Sequence, residues 1–373
     1  MLYQTHVRVD RDAIRFNLEG IRQAVGDQRK ILIAVKANAY GHGAQEISRL
    51  AASSGVDWLG VATVPEGIEI RQTGVRLPIL KFSPAFEAEM PAALHNDLTL
   101  AVCDPANIKA LQAVCAAENG TLRVHLKVET GMGRIGVPIK EAPGMAAFIE
   151  DHCPNLVLEG IFTHLPVSDG PDPDYTRAQI QRFKDVVGDI HGAIGRKVAL
   201  VHCANSGAVL GHEPGWLDMV RPGIMVYGYY PDPQTPRTLP LKPALSFNTR
   251  VSFIKKVTAG TSISYGRTWL APQDTWIATI PAGYADGFNR LFSNRGRVLI
   301  NGRSYPIVGR VCMDQSMVDL GPETDVQVGD EVVLMGRSGE EEITCDEWAQ
   351  KLNTITYEVT CQINPRVTRV YVG

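Results

Sequence analysis

Hydrophobic and polar positions follow two different rhythms along this chain. Up to about Tyr230, short apolar runs alternate with longer stretches of helical spacing. The runs are ILIAVKA from Ile31, WLGVAT from Trp58, LPILKFS from Leu77, LTLAVC from Leu98, LRVHLKVET from Leu122, LVLEGIFTHL from Leu156, VALVHCA from Val198 and MVRPGIMVYG from Met219. Continuous apolar runs of this length suit strands covered on both faces, as in a parallel sheet. Between them, segments such as GAQEISRLAASSG, PANIKALQAVCAAENG and YTRAQIQRFKDVVGDIHGAIG repeat apolar residues at helical intervals. Ahead of the series, a strand-like opening leads to Asp10, placed to cap a helix in which Ile14, Leu18, Ile21 and Val25 recur. Eight such units predict an α/β fold, a TIM-type (β/α)8 barrel, over residues 11–235.

The second rhythm begins after PDPQTPRTLPLKP, whose prolines predict a linker. From about Ala244, segments such as LSFNTRVSFIKKV, TWIATIPAGYADG and VQVGDEVVLMG read as short strands joined by glycine and Asn-Gly turns, with one clear helix, CDEWAQKLN. They predict a mostly-β domain over residues 236–373, to which the opening strand, residues 1–10, is assigned.

Composition narrows the function classes. A chain of 373 residues with 45% hydrophobic and 21% charged residues has the profile of a globular protein. A net charge of -3 gives no electrostatic reason to expect nucleic acid or an anionic membrane surface. No apolar stretch has the length of a membrane span. Asp10 and Asp12 stand where a signal peptide would need an apolar core. The seven cysteines are odd in number, scattered and free of C-x-x-C pairs, so buried thiols in a reducing cytoplasmic compartment are expected. No residue is assigned to a metal.

Barrels of this kind carry their chemistry at the C-terminal ends of the strands. There the sequence puts Lys36 and Tyr40 after the first run, and Lys127, Glu129 and Arg134 at the end of the fifth. Thr163 and His164 end the sixth, His202, Asn205 and Ser206 the seventh, and Arg221, Gly223 and Ile224 the eighth. Each has a plain structural explanation: Lys36 as a solvated strand end, His164 as a core histidine, Arg221 paired with Asp218, Ser206 capping the next helix. GMGRIG, Gly131–Gly136, matches the dinucleotide pattern G-x-G-x-x-G, but it lies in the middle of the series rather than opening a sheet. The combination is what points to chemistry. An amine among apolar neighbours can lose its proton and condense with an aldehyde, and backbone N–H groups after the last two strands commonly hold phosphate. An aldehyde and a phosphate together suggest pyridoxal phosphate.

AVKANAYGHG, VETGMGRIG, EGIFTH, HCANS, RPGIMVYG, SYG, AGYADG, GRVCMDQSMVDL and TITYE resemble, in order and over nearly the whole chain, the signature segments of bacterial alanine racemases. That resemblance implies a pyridoxal-phosphate enzyme interconverting L- and D-alanine for peptidoglycan. It makes Lys36 the residue bonded to the cofactor, with Tyr40, Ser206, Tyr357 and the backbone of Gly223 and Ile224 on its phosphate. Arg221 becomes the partner of the pyridine nitrogen. Lys36 and Tyr265 become the two catalytic bases, acting on the D- and L-isomer respectively, with His164 between Tyr265 and Arg221. Tyr265 is implied to come from the other subunit of a homodimer with shared active sites. Arg134 and the Met313 backbone would hold the substrate carboxylate. Tyr284, Arg290, Arg310, Asp169 and His202 correspond to an access corridor, with Cys312 and Asp314 beside it. Lys127 matches a lysine that is carbamylated in some members and then orients Arg134.

Two departures stand out. THLPVSDG replaces a stretch usually close to THFA, and Glu129 stands where aspartate is more common. Alternatives of related architecture are a racemase of broader specificity for serine or lysine, a non-catalytic pyridoxal-phosphate carrier and a decarboxylase. Tyr357 argues against the first, the second domain against the carrier, and the charge of Arg221 against the decarboxylase.

Overall fold

The computed structural model describes residues 3–373. The chain divides into two compact units, Arg15–Lys242 and a second one formed by the chain up to Ile14 with Pro243–Gly373. In the first unit, eight parallel strands follow one another around a barrel: Lys30–Ala34, Trp58–Val61, Ile79–Lys81, Leu98–Val102, Leu122–Glu129, Leu156–Phe162, Leu200–His202 and Met219–Val220. The eighth pairs with the first. The seventh and eighth are bridged by two backbone bonds, Asp218 N–H to Val201 O at 3.1 Å and Arg221 N–H to Ala204 O at 2.8 Å. Leu32, Trp58, Leu80, Leu200 and Met219 pack together with Phe82 in the interior. Each side chain of this size contributes roughly 1.5–3 kcal/mol when fully buried.

The observed strands are shorter than the apolar runs. MVRPGIMVYG supplies only the strand Met219–Val220. Pro222 then offers no N–H to a ladder, and the chain turns into the 3-10 segment Ile224–Tyr227, whose side chains are buried all the same. Helices follow the strands as the periodicity indicates, the longest being Asp174–Ile194. Asp10 accepts the Ala13 N–H at 3.0 Å and starts the helix Arg11–Val25, which buries Ile14, Leu18, Ile21 and Val25.

The proline-dense stretch is not a loose linker, because its backbone is held by the barrel unit. Asn17 Nδ2 donates to Val226 O at 3.0 Å and to Lys242 O at 2.9 Å, and Lys242 N–H returns a bond to Asn17 Oδ1 at 2.8 Å. Thr238 Oγ1 donates to Leu210 O at 2.8 Å. These bonds explain why the first unit runs on to Lys242.

The second unit is built on a sheet in which Arg303–Pro306, Arg297–Ile300, Glu331–Ser338, Leu245–Arg250, His6–Asp10 and Thr368–Val372 lie side by side. His6–Asp10 is antiparallel to Leu245–Arg250 and parallel to Thr368–Val372, so the start and end of the chain share one sheet. A smaller sheet holds Phe253–Val257, Thr275–Ile280 and Ser316–Gly321. Besides the expected helix, Cys345–Leu352, a short one covers Thr356–Cys361. Its six residues are too few for a helical period to show in the sequence. Four of the seven cysteines are buried, whereas Cys103 and Cys312 are half-buried and Cys361 is exposed. No helix among the described residues is long and apolar enough to cross a membrane.

Candidate active site

The first barrel strand ends at Ala34, and Lys36 opens a turn that no ordinary L-residue favours. Ala37, Asn38, Ala39 and Tyr40 all have φ between 50° and 54°. Each non-glycine residue in this left-handed region costs roughly 1–2 kcal/mol, so the surroundings must impose it. They do so through Glu66. One of its carboxylate oxygens accepts the Ala37 N–H at 2.7 Å, and the other accepts Ala62 and Thr63 N–H at 2.8 and 3.1 Å. Asn38 Oδ1 accepts the Ala44 N–H at 2.8 Å, and His42 stacks on Tyr227 at 4.4 Å between centroids. Glu66 is missing from the sequence-based candidates, although T-x-x-E at Thr63–Glu66 is a readable capping box.

Tyr40 is carried by that turn to the end of the eighth strand. A Cβ added at Gly223 would lie 2.9 Å from Tyr40 Oη, so only glycine lets the phenol come this close. Ser206 Oγ accepts the Gly223 N–H at 2.8 Å. Asn205, not Ser206, caps the short helix Ser206–Gly211, accepting the Ala208 N–H at 3.1 Å, and the serine hydroxyl is thereby left for the recess.

Arg221, 5% exposed, occupies the interior beside this recess. It donates to Thr163 O at 2.7 Å, Cys203 O at 3.1 Å, His202 Nδ1 at 3.0 Å and His164 Nδ1 at 3.4 Å. The ion pair with Asp218 does not form; that carboxylate accepts the Val201 N–H at 2.8 Å. Burial lowers the Arg221 pKa to about 10, still cationic at neutral pH. Lys127 is pushed down to about 8, first by burial and then by Arg134 and Arg221. Both cations lie over the Phe162 ring, at 5.2 Å for Lys127 Nζ and 5.5 Å for Arg221 Cζ. His164 is held well below its ordinary pKa by burial and by Arg221, Arg134, Lys127 and Lys36, so it is a neutral imidazole at the mouth. His202, expected along an access corridor, is instead fully enclosed in the barrel, where its ring stacks on Phe162 at 5.0 Å.

Glu129 organises the loop that carries Arg134. Its carboxylate accepts the N–H groups of Gly131, Met132, Gly133 and Arg134, the last three at 2.6, 2.9 and 3.4 Å. Partial burial would raise its pKa, but the four donors together outweigh that and lower it. The N–H groups of Gly131 to Arg134, the first four residues of GMGRIG, are therefore filled by the chain's own carboxylate, which removes the dinucleotide reading. In THLPVSDG, Leu165 is buried while Pro166 and Val167 border an open cavity of ≈ 500 Å³. Asp169 lies half-buried in the same loop, and burial raises its pKa.

A second cluster forms within the β unit. Tyr265, Tyr284 and Arg290, with Arg310, Cys312, Met313 and Asp314 from one later loop, line one cavity of ≈ 680 Å³. Tyr265 is 73% exposed. It follows Ser264, a non-glycine residue at φ 68°, whose hydroxyl donates to Arg310 O at 2.7 Å and fixes the turn. Tyr357 lies on the short helix Thr356–Cys361 of this unit.

Residues 9–231 match the family model for the N-terminal domain of alanine racemase, and residues 244–371 match that for its C-terminal domain. The chain is 48% identical over 371 residues to the alanine racemase of Cutibacterium acnes, an alignment covering 99% of this chain and 98% of that one. Among solved structures, alanine racemase from Clostridium difficile superposes with a TM-score of 0.95 at 37% identity, covering 100% of this chain and 96% of that one. A complex of the enzyme from that organism with cycloserine gives 0.92 at 36%, with the same coverage. With both domain models matched in order and relatives similar over their full length, the chain belongs to the alanine racemase family.

Proposed function

We propose that this protein racemises alanine with pyridoxal phosphate, working as a cytosolic homodimer that supplies D-alanine for peptidoglycan. The observation that carries the reading is the grouping of Lys36, Tyr40, Ser206, Gly223 and Arg221 at one barrel end, with a buried guanidinium that no carboxylate among the described residues neutralises directly. This donor set fits the cofactor: a glycine-floored recess with two hydroxyls for phosphate, an amine for an aldehyde, and a cation for a ring nitrogen. When bound, pyridoxal phosphate withdraws electrons from the amino acid's α-carbon and acidifies its proton. The absorption spectrum of the purified protein, followed by α-proton exchange of alanine in deuterated water, tests the assignment. A visible cofactor band without exchange would point to the non-catalytic carrier.

Within this reading, Lys36 binds the cofactor and moves the α-proton on the face of the D-isomer, and Tyr265 of the other subunit serves the L-isomer. Tyr40, Ser206, Tyr357 and the Gly223–Ile224 backbone hold the phosphate. Arg221 keeps its proton at working pH and so gives none to the ring nitrogen. Neutral His164 accepts from Arg221 and is thereby oriented toward the tyrosine. Arg134 and Met313 receive the substrate carboxylate. Tyr284, Arg290, Arg310, Asp169, Cys312 and Asp314 border its access.

Glu129→Ala is expected to raise KM for alanine about tenfold with a smaller change in kcat, because four N–H groups lose a charged acceptor and Arg134 loses its fixed loop. Steady-state kinetics checks this. The carboxyl is lowered in the fold, so its stabilisation is present above the ordinary carboxylate range and is lost as pH falls through the lower, folded value.

Lys127, with a pKa of about 8, offers a substantial fraction of neutral amine at mildly alkaline pH, the form that adds carbon dioxide. Arg134 and Arg221 favour an anion in its place. Protein prepared with 13C-bicarbonate is expected to show a carbamate carbon signal that disappears in Lys127→Arg. Retention of the signal in that variant would assign it elsewhere.

A further inference from the structure

Arg221 is a buried charge with no carboxylate at ion-pair distance among the described residues, a costly arrangement unless a counter-charge is reached indirectly. The hydrogen bonds lead to one. A guanidinium only donates, so His202 Nδ1, 3.0 Å from Arg221 Nη1, accepts and the ring proton sits on Nε2. His202 Nε2 is 2.8 Å from His125 Nδ1 and donates to it. The His125 proton is then on Nε2, which faces Glu159 Oε2 at 3.4 Å. The donor-only group at one end and the carboxylate at the other leave a single consistent set of tautomers, with every bond pointing from Arg221 toward Glu159.

We infer that Glu159 is the remote counter-charge of Arg221, joined to it through His202 and His125, and that these three are positioning residues for the guanidinium. The barrel is shaped for this chain of groups. In the register between the fifth and sixth strands, Val124 faces Leu158 and His125 faces Gly160, so Glu159 is the extra residue of a β-bulge. A bulge re-aims the side chain it carries, here toward His125. A Cβ at Gly160 would lie 2.7 Å from His125 Nδ1, so glycine is what admits the imidazole. Phe162 stacks on His202 with planes 7° apart, and Trp58 lies against His125 at 5.4 Å. Both histidines are fully buried, and burial lowers their pKa, in keeping with neutral rings. Glu159 also lies 3.9 Å from Arg123 Nε, its side chain is 22% exposed, and water can therefore stabilise the charge at the outer end.

The inference rests on the reading of Arg221 as the partner of the cofactor ring, and its test separates the two. In holoenzyme labelled with 15N-histidine, ring-nitrogen spectra assigned through His125→Asn and His202→Asn are expected to show both rings protonated on Nε2. Glu159→Leu removes the acceptor and is expected to shift the His202 and His125 signals together and to lower kcat by roughly tenfold with KM little changed. Glu159→Gln still accepts from His125, so it is expected to keep the tautomers and recover part of the rate. Opposite tautomers in the parent enzyme, or His202 signals unmoved in Glu159→Leu, overturn the relay. Signals that move as expected while kcat stays within twofold keep the relay and overturn its link to the cofactor.

Discussion

Lys36→Ala is expected to leave a folded protein that no longer racemises alanine and no longer holds pyridoxal phosphate through a covalent bond. Lys36 is half-buried between the buried end of the first strand and the left-handed turn, outside the barrel core, so removing its side chain creates no core cavity. The turn is held by Glu66, Asn38 and the backbone, none of which needs the amine. The recess at Tyr40, Ser206 and Gly223 also stays, so the variant should still bind the cofactor through its phosphate, reversibly and with altered visible absorbance. A positioned general base is worth about 10²–10⁴ in rate, and Lys36 serves both as base and as covalent anchor, so the loss in kcat should reach at least the upper end of that range. Parent-like absorbance surviving dialysis in Lys36→Ala would defeat the assignment.

Tyr265→Phe is expected to act unequally on the two enantiomers. The equilibrium constant of a racemisation is one by symmetry, so net rates in the two directions at low substrate must fall together. The asymmetry shows instead in exchange of the α-proton with solvent. Starting from L-alanine, exchange should fall by about 10²–10³, because the missing hydroxyl is the base on that face. Starting from D-alanine, Lys36 still removes the proton and exchange should persist. Equal losses from both enantiomers would sink the two-base scheme. The phenol is exposed on a turn fixed by Ser264, so its removal should leave the fold intact. A mixture of Tyr265→Phe and Lys36→Ala chains reassorted into dimers checks the shared site, since each mixed dimer has one complete set of groups and about a quarter of the parent activity should return.

Much of this site was legible because strand-end chemistry is local. Lys36, Lys127, His164, Ser206 and Arg221 each end an apolar run, and the barrel rule alone aligns them on one rim. The resemblance to a family then supplied roles that no spacing contains, among them those of Tyr265 and Tyr357. What stayed hidden were the partners that individual polar groups take. Asn205 rather than Ser206 caps the helix, and the loop of GMGRIG is closed by Glu129, although both pairs are near neighbours in sequence. Which of two adjacent polar residues turns inward depends on backbone angles that composition does not encode.

Sequence by itself determined the alternation of strands and helices, the change to a β-rich unit and the residues at the strand ends, because burial on both faces or on one writes its period directly into the chain. Tertiary structure alone decided that His202 lies inside the barrel instead of along a corridor, that the proline-rich stretch is fastened by Asn17, and that Glu159 is turned toward His125. The physical reason is the same in all three. A buried donor or acceptor must find a partner, and the one it finds is set by which elements the folded chain brings side by side, a property of the tertiary structure and not of any window of sequence.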